Sequence, residues 1–264
     1  MFLFQSKKSK FSDLQSLQKG IPPSSEWKFS ADPAYVFICD NETIDGVEIS
    51  ETIVDEIRAK CGPDVPIISD ASSNLFSRRI DISKFGIVFA GAQKNFGPAG
   101  VTLVIIREDL AGNAIKECPT IFDYKTLIGN GSLYQTPPTF GIYMCGLNFE
   151  WLKSHGGIKH ADEVNQLKAE LIYRTIDESN GFYKSPVEVS VRSRMTIPFR
   201  IYKGEEASDG LEKEFLGEAA KEKLTELKGH RSVGGIRAAI FNAISYEEIE
   251  QLVSFMKRFQ ILHQ

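Results

Sequence analysis

Apolar positions along the chain fall into two kinds of run, short continuous ones bounded by turn formers and longer ones at helical spacing. Tyr35-Val-Phe-Ile-Cys39, Val65-Pro-Ile-Ile-Ser69, Phe85-Gly-Ile-Val-Phe89 and Val101-Thr-Leu-Val-Ile-Ile106 are short, apolar and bounded by breakers, and they predict four buried strands. Between the first two, Val47, Ile49, Ile53, Val54 and Ile57 predict a helix over 47–60, stopped at Cys61-Gly62-Pro63. A Pro-Pro pair at 137–138 opens a helix over 140–153, and Ser154-His-Gly-Gly157 breaks it. A further helix is expected over 162–178, with Val164, Leu167, Leu171, Ile172 and Ile176 on its inward face.

The last third alternates. Met195, Ile197, Phe199 and Ile201 predict a strand of period two. A helix over 211–228 ends at Gly229, a strand follows over 236–242, and Ser245-Tyr-Glu-Glu248 is a capping box opening a final helix. That helix turns Ile249, Leu252, Val253, Met256 and Phe259 inward. Strands alternating with helices give an α/β chain. The break after Ser154 divides it into a larger domain, 1–154, and a smaller C-terminal α/β domain, 155–264. Residues 1–33 are polar, without a sustained period, and predict an irregular lead-in.

Composition narrows the function classes. With 264 residues, 42% hydrophobic and 25% charged, the chain can bury a substantial core, and its net charge of -4 argues against a nucleic-acid partner. Local basic groups could still hold a small phosphate. The four cysteines, at 39, 61, 118 and 145, form no C-x-x-C pair, so neither a metal ribbon nor a disulfide scaffold is expected. With no apolar run of membrane-spanning length and no secretory h-region, the expectation is a cytoplasmic protein that does not enter a membrane. His155 and His160 are read as surface residues.

Candidate chemistry centres on Phe89-Ala-Gly-Ala-Gln-Lys-Asn-Phe-Gly-Pro-Ala-Gly100, a breaker-rich loop carrying one lysine, Lys94, between two strands. A lysine in a turn is usually a solvated charge. A lysine nucleophile, however, needs a rigid element that aims it at one carbon, and this loop is held from both sides. Asp70 directly follows an apolar strand, at the end where open α/β sheets keep their ligands; its bland alternative is a turn or helix cap. A lysine with such an acid suits pyridoxal phosphate, whose pyridine nitrogen needs a carboxylate partner. Thr43, past the first strand, could hold the phenolic oxygen, and Gln93 the phosphate. Lys228-Gly-His-Arg-Ser-Val-Gly-Gly-Ile-Arg237 sets a histidine and two arginines around a glycine-rich turn, a composition suited to binding carboxylate and phosphate groups, or else a solvated loop.

Gly91-Ala-Gln-Lys-Asn-Phe-Gly-Pro-Ala-Gly100, Thr136-Pro-Pro-Thr139, Arg192-Ser-Arg-Met195 and Gly229-His-Arg-Ser-Val-Gly-Gly-Ile-Arg237, in this order and spacing, resemble the phosphoserine aminotransferases of the class V aminotransferase group. The resemblance runs from about Trp27 to the C-terminus. It implies a fold-type I pyridoxal-phosphate transferase, with a partial large domain built on a mixed sheet and a smaller C-terminal α/β domain. It further implies a homodimer that moves an amino group between O-phospho-L-serine and 2-oxoglutarate, giving 3-phosphohydroxypyruvate and L-glutamate in serine biosynthesis.

On matching positions, Lys94 is the implied Schiff-base lysine and proton shuttle, and Asp70 the pyridinium partner. Thr43 approaches the phenolic oxygen and Gln93 the cofactor phosphate. Gln135 and Thr136 reach the cofactor phosphate of the other subunit. Arg237 holds the substrate α-carboxylate, while His230 and Arg231 face its phosphate or distal carboxylate. The chain departs from the family in having Gln135 where asparagine is usual, and in lacking an N-terminal part that normally supplies a glycine-rich phosphate turn. An inactive short paralogue, binding cofactor weakly or pairing with a longer subunit, is the competing expectation. A cysteine desulfurase of the same group is disfavoured, since no cysteine lies in a glycine-rich loop.

Overall fold

Strand β1 (Val36–Cys39) begins a four-stranded sheet. The structure, a computed structural model, describes residues 20–264. Most of the irregular lead-in expected over 1–33 therefore lies outside the described residues. After β1 the chain makes a small hairpin, β2 (Asn41–Glu42) and β3 (Val47–Glu48), then helix α1 (Glu51–Cys61). It returns as β4 (Ile67–Asp70), continues through β5 (Ile87–Gly91), and turns back as β6 (Thr102–Ile106). The strand order is β1-β4-β5-β6, with the first three parallel and β6 antiparallel, so the sheet is mixed. Its core holds Val36, Ile38, Val54, Ile57, Ile67, Val88, Ala90 and Phe96.

The expected helix over 47–60 starts later than its periodicity suggests. Val47 and Glu48 are strand, because Gly46 takes φ +75° and closes a hairpin before Ser50 caps α1 on the Ile53 N–H. Gly62, at φ +95°, then ends the helix.

Beyond β6 the chain forms α2 (Tyr124–Gly129), α3 (Thr139–Ser154) and α4 (Gly157–Asp177), the last two separated by Gly156 at φ +90°. One face of α3 is largely exposed: Phe140 is 72% exposed, Tyr143 61% and Trp151 51%, the last stacked on His155 at 4.4 Å. The second sheet is antiparallel, with β7 (Tyr183–Lys184) and β10 (Ile236–Ala239) flanking β8 (Thr196–Lys203), and the short β9 (Glu206–Ala207) pairing with the end of β8. Helices α4, α5 (Asp209–Lys221) and α6 (Tyr246–His263) pack on it around Ile172, Ile197, Phe199, Phe215, Met256 and Phe259. Phe215 is fully buried, edge-on to Phe255 at 4.9 Å and Phe259 at 5.1 Å, and this burial stabilises the lobe by about 2 kcal/mol. The capping box of α6 forms as its sequence predicts, with Ser245 and Glu248 bonding each other's backbone N–H.

Three further expectations are corrected here. Helix α5 ends at Lys221, not 228, because Lys223 and Glu226 take positive φ and the chain turns back through Leu224 N–H to Ala219 O at 2.9 Å. Strand β10 stops at Ala239, not 242, giving way to a turn over 240–244. On α4 the inward face is rotated: Leu167 is 54% exposed, and Asn165 and Lys168 are buried in its place.

The two cores are joined by polar contacts. Asn41 donates to Ser73 Oγ at 2.8 Å, and Ser193 Oγ donates to Asn41 Oδ1 at 2.5 Å. Beside them Arg78 bonds Asp40 at 2.7 Å and Glu48 at 2.8 Å, both carboxylates being buried. Arg194 adds its backbone N–H to Glu48 Oε2 at 3.0 Å. Burial opposes the Glu48 charge, yet Arg78 and Arg194 together hold its carboxyl below the usual range.

Candidate active site

Parallel pairing puts the carboxyl ends of β1, β4 and β5 along one edge of the sheet. Cys39 is in register with Asp70, and Asp70 with Phe89, so the segments that follow each strand emerge side by side. Those segments carry Thr43, Asp70, and Gln93 with Lys94. This is the edge at which an open α/β sheet binds its ligand.

Asp70 is half-buried, and its Oδ1 accepts the Ser72 N–H at 3.0 Å. Ser72 in turn accepts the Gly91 N–H at 3.1 Å, which ties the Asp70 turn to the strand leading into the lysine loop. The turn reading of Asp70 holds, an Asx turn through Oδ1, while Oδ2 accepts no hydrogen bond among the described residues.

The lysine loop is tightly wound. Phe96 and Gly97 both donate their N–H to Ala92 O, at 3.1 and 3.0 Å, and Ala92 N–H reaches Val101 O across the strand pair at 2.9 Å. Lys94 is half-buried; its Nζ lies 5.0 Å from the Phe241 ring centroid and has no ion-pair or hydrogen-bond partner among the described residues. Most lysines at turns point into water, and this one is aimed across the lobes at an aromatic face. Gln93 is exposed and curls back on its own loop, so that a Cβ on Gly91 would meet its Oε1 at 2.5 Å.

Arg237, on β10 of the second sheet, reaches the same edge. Its Nη1 donates to Thr43 O at 3.3 Å, while its Nε is buried without a partner. The Thr43 turn is fixed by Glu42, whose carboxylate accepts the N–H groups of Ile44 at 3.0 Å and Asp45 at 2.5 Å. The Gly229 to Gly235 turn closes on itself, with Gly229 N–H donating to Gly235 O at 2.8 Å and Gly234 N–H to His230 O at 2.8 Å. Within it, His230 Nδ1 accepts the Ser232 N–H at 3.3 Å and lies 2.6 Å from Ser232 Oγ, which leaves Nε2 directed elsewhere. Arg231 is exposed.

Thus Thr43, Asp70, Gln93, Lys94 and Arg237 share one edge, and His230 with Arg231 occupies the turn leading into the Arg237 strand. Gln135 and Thr136 are exposed, before α3, and among the described residues make no hydrogen bond or ion pair with that group. Sequence reasoning missed Ser72, Asn95, Asn165, Lys168, Phe241 and Asn242, all of which support the lysine loop or Asp70. Asn95 Oδ1 accepts the Asn242 N–H at 3.1 Å, and its Nδ2 donates to Leu75 O at 3.2 Å. Only Asn165 and Lys168 leave a signal in sequence, as polar residues on the otherwise apolar face of α4.

The class-V aminotransferase family model matches residues 9–252. The chain belongs to that family. This class-V aminotransferase is 53% identical over 92% of its length to phosphoserine aminotransferase 2 of Arabidopsis thaliana, and 50% identical over 92% to phosphoserine aminotransferase of Laribacter hongkongensis. It spans 55% of the first relative and 64% of the second. Among solved structures it superposes on phosphoserine aminotransferase from Bacillus circulans with a TM-score of 0.85 at 44% identity, covering 93% of this chain and 64% of that one. On the pyridoxal-phosphate-bound enzyme from Trichomonas vaginalis it scores 0.80 at 41% identity, covering 89% and 63%. These matches identify the α/β architecture as that of the fold-type I aminotransferases.

Proposed function

We propose that this chain carries the lysine-bearing part of a phosphoserine aminotransferase, transferring an amino group between O-phospho-L-serine and 2-oxoglutarate with pyridoxal 5′-phosphate as cofactor. The observation that carries the reading is Lys94. It is half-buried and without an ion-pair or hydrogen-bond partner among the described residues, at the sheet edge that also carries Asp70 with an open carboxylate oxygen, in a chain about half identical to named phosphoserine aminotransferases.

The residues present fit the cofactor. Lys94 supplies a free amine on a rigid loop, and Asp70 Oδ2 an acceptor for a ring N–H. Arg237 Nε is a buried donor without a partner, at a place where a ligand carboxylate would satisfy it. When bound, pyridoxal phosphate withdraws electrons from the substrate Cα and so makes its proton removable. Lys94 would take the proton from Cα of the amino donor and, in the second half-reaction, deliver a proton to Cα of the acceptor. Asp70 keeps positive charge on the ring nitrogen, Thr43 and Gln93 position the ring and its phosphate, and Arg237 orients the α-carboxylate. His230 and Arg231 face the substrate phosphate or distal carboxylate. Gln135 and Thr136, exposed here, serve the site of a second subunit. The exposed apolar stripe on α3 supports a homodimer, since surfaces of this kind are usually covered. The two separate cores support a division near residue 155 into a cofactor lobe and a smaller lobe.

Absorbance of the purified chain with pyridoxal phosphate tests the reading. The expected result is a band near the visible edge that shifts on adding glutamate and is absent in Lys94→Ala. A folded chain that forms no such band would overturn the activity and favour a protein that only pairs with a longer subunit.

A further inference from the structure

Lys168 lies on α4 with none of its surface exposed, and no carboxylate pairs with it among the described residues. Its ammonium donates instead to three backbone carbonyls, Ile240 O at 3.1 Å, Phe241 O at 3.1 Å and Ile244 O at 2.8 Å. A buried, unpaired charge is a poor device for packing, and a methionine would fill the same volume without losing hydration. What an ammonium offers is three donors from one point, enough to satisfy three carbonyls of one turn.

Asn165 stands one helical turn before Lys168, on the same face of α4. It donates to Asn242 Oδ1 at 2.8 Å and to Ser77 O at 3.0 Å. The 240–244 turn is therefore gripped at both ends by one helix. The turn's other side faces the lysine loop. Its Phe241 ring lies 5.0 Å from Lys94 Nζ, and its Asn242 bonds Asn95, the residue after Lys94, and Phe76 O at 3.0 Å.

We infer that Lys168 is a positioning residue for Lys94: by holding the 240–244 turn through its three carbonyls, it lays the Phe241 ring over the Lys94 amine and sets Asn242 on Asn95. This role rests on the reading of Lys94 as the reacting amine, but the geometry it describes is testable without the cofactor.

Competitive acetylation of the full chain by trace acetic anhydride, read lysine by lysine by mass spectrometry, provides the test. In Lys168→Met, Lys94 is expected to react about threefold faster or more, as its aromatic cover is released, while exposed Lys213 keeps its rate. Phe241→Ala is expected to give the same rise, and the double variant no further one. A Lys94 rate unchanged in folded Lys168→Met, with Phe241→Ala still accelerating it, overturns the proposal. So does an equal rise at Lys94 and Lys213, which reports general loosening. If Lys168→Met does not fold, Lys168→Leu, which likewise donates nothing to the turn, carries the test with the same outcomes. Absorbance with pyridoxal phosphate is read separately on the same samples. A wild-type chain without a band ends the functional reading of Lys94 and leaves the labelling result to decide the role of Lys168.

Discussion

Arg237 Nη1 meets Thr43 O at 3.3 Å across 194 positions of sequence, with its Nε buried and unpartnered beside that bond. One edge of the guanidinium is thus spent on fixing the arginine and another is left for a ligand. Lysine offers a point charge in place of the planar fork. In Arg237→Lys, with pyridoxal phosphate present, glutamate binding is expected to weaken by about tenfold or more by titration calorimetry. Unaltered affinity in a folded variant would remove the arginine from the substrate clamp.

Asp70→Asn separates charge from turn geometry. The amide oxygen still accepts the Ser72 N–H, so the thermal midpoint should shift by no more than about 3 °C. Cofactor-dependent amino transfer, in contrast, is expected to fall by about a hundredfold with the loss of a charged hydrogen bond to the ring. A rate within a few-fold of wild type would show that the carboxylate is only a cap.

Lys168 predicts a pH dependence. Burial pushes its ammonium down to about 8, against the weaker pull of Glu248, while the unfolded chain keeps the ordinary lysine value of 10.5. Between these values the unfolded state holds the extra proton, so this group's contribution to stability rises with pH from about 8 to about 10.5. Its size is on the order of 3 kcal/mol. Urea unfolding of wild type and Lys168→Met at pH 7 and pH 10 should show wild-type stability rising relative to the variant as the pH goes up. A constant difference would mean that the ammonium does not titrate there.

Arg78→Met leaves Asp40 and Glu48 buried without their shared counter-charge, and is expected to cost about 3–5 kcal/mol in chemical denaturation. Because the Glu48 carboxyl titrates below its unfolded value near 4.5, its contribution is complete above that pH and is lost as the pH falls through its folded value. Asp40, on the same guanidinium, is pushed up by burial and so acts in the opposite sense; the acid loss that belongs to Glu48 should therefore diminish in Arg78→Met, as read by denaturation of Asp40→Asn backgrounds with and without Arg78.

Gly229 allows the closest backbone approach in the molecule's basic turn. An added Cβ would fall 1.9 Å from Gly234 O, and in Gly235, at φ +72°, one would fall 2.8 Å from Phe199 O. Neither obstacle is a movable side-chain tip. Gly229→Ala should open the turn, displace His230, and weaken inorganic phosphate binding along with a loss of roughly 1–3 kcal/mol. An unchanged unfolding midpoint would contradict the closure of this turn.

Much of this was legible in the sequence where period and punctuation agree. The strand runs ending at Cys39, Ser69 and Phe89 place Thr43, Asp70 and Lys94 at one edge once parallel pairing is supplied. The Ser245 to Glu248 box fixed the start of α6 because both partners are local. Errors arose where apolar spacing was shared between element types: Val47 and Ile49 suit a helix as well as a hairpin arm, and Gly46 decided it. Leu167 looked inward because apolarity outranked Asn165 and Lys168, whose burial depends on carbonyls some 75 residues away in the chain. Residues that work by holding a remote turn leave no periodic trace.

The β5–β6 pair brackets the lysine loop with strands only ten residues apart, Gly91 facing Thr102. Closing so short a loop loses little chain entropy, whereas the Arg237 contact with Thr43 must wait for distant segments to meet. In the order of folding, then, the Lys94 loop closes early and the Arg237 contact forms late. A nascent chain therefore shows the Lys94 amine to the solvent before Arg237 has docked on the Thr43 turn.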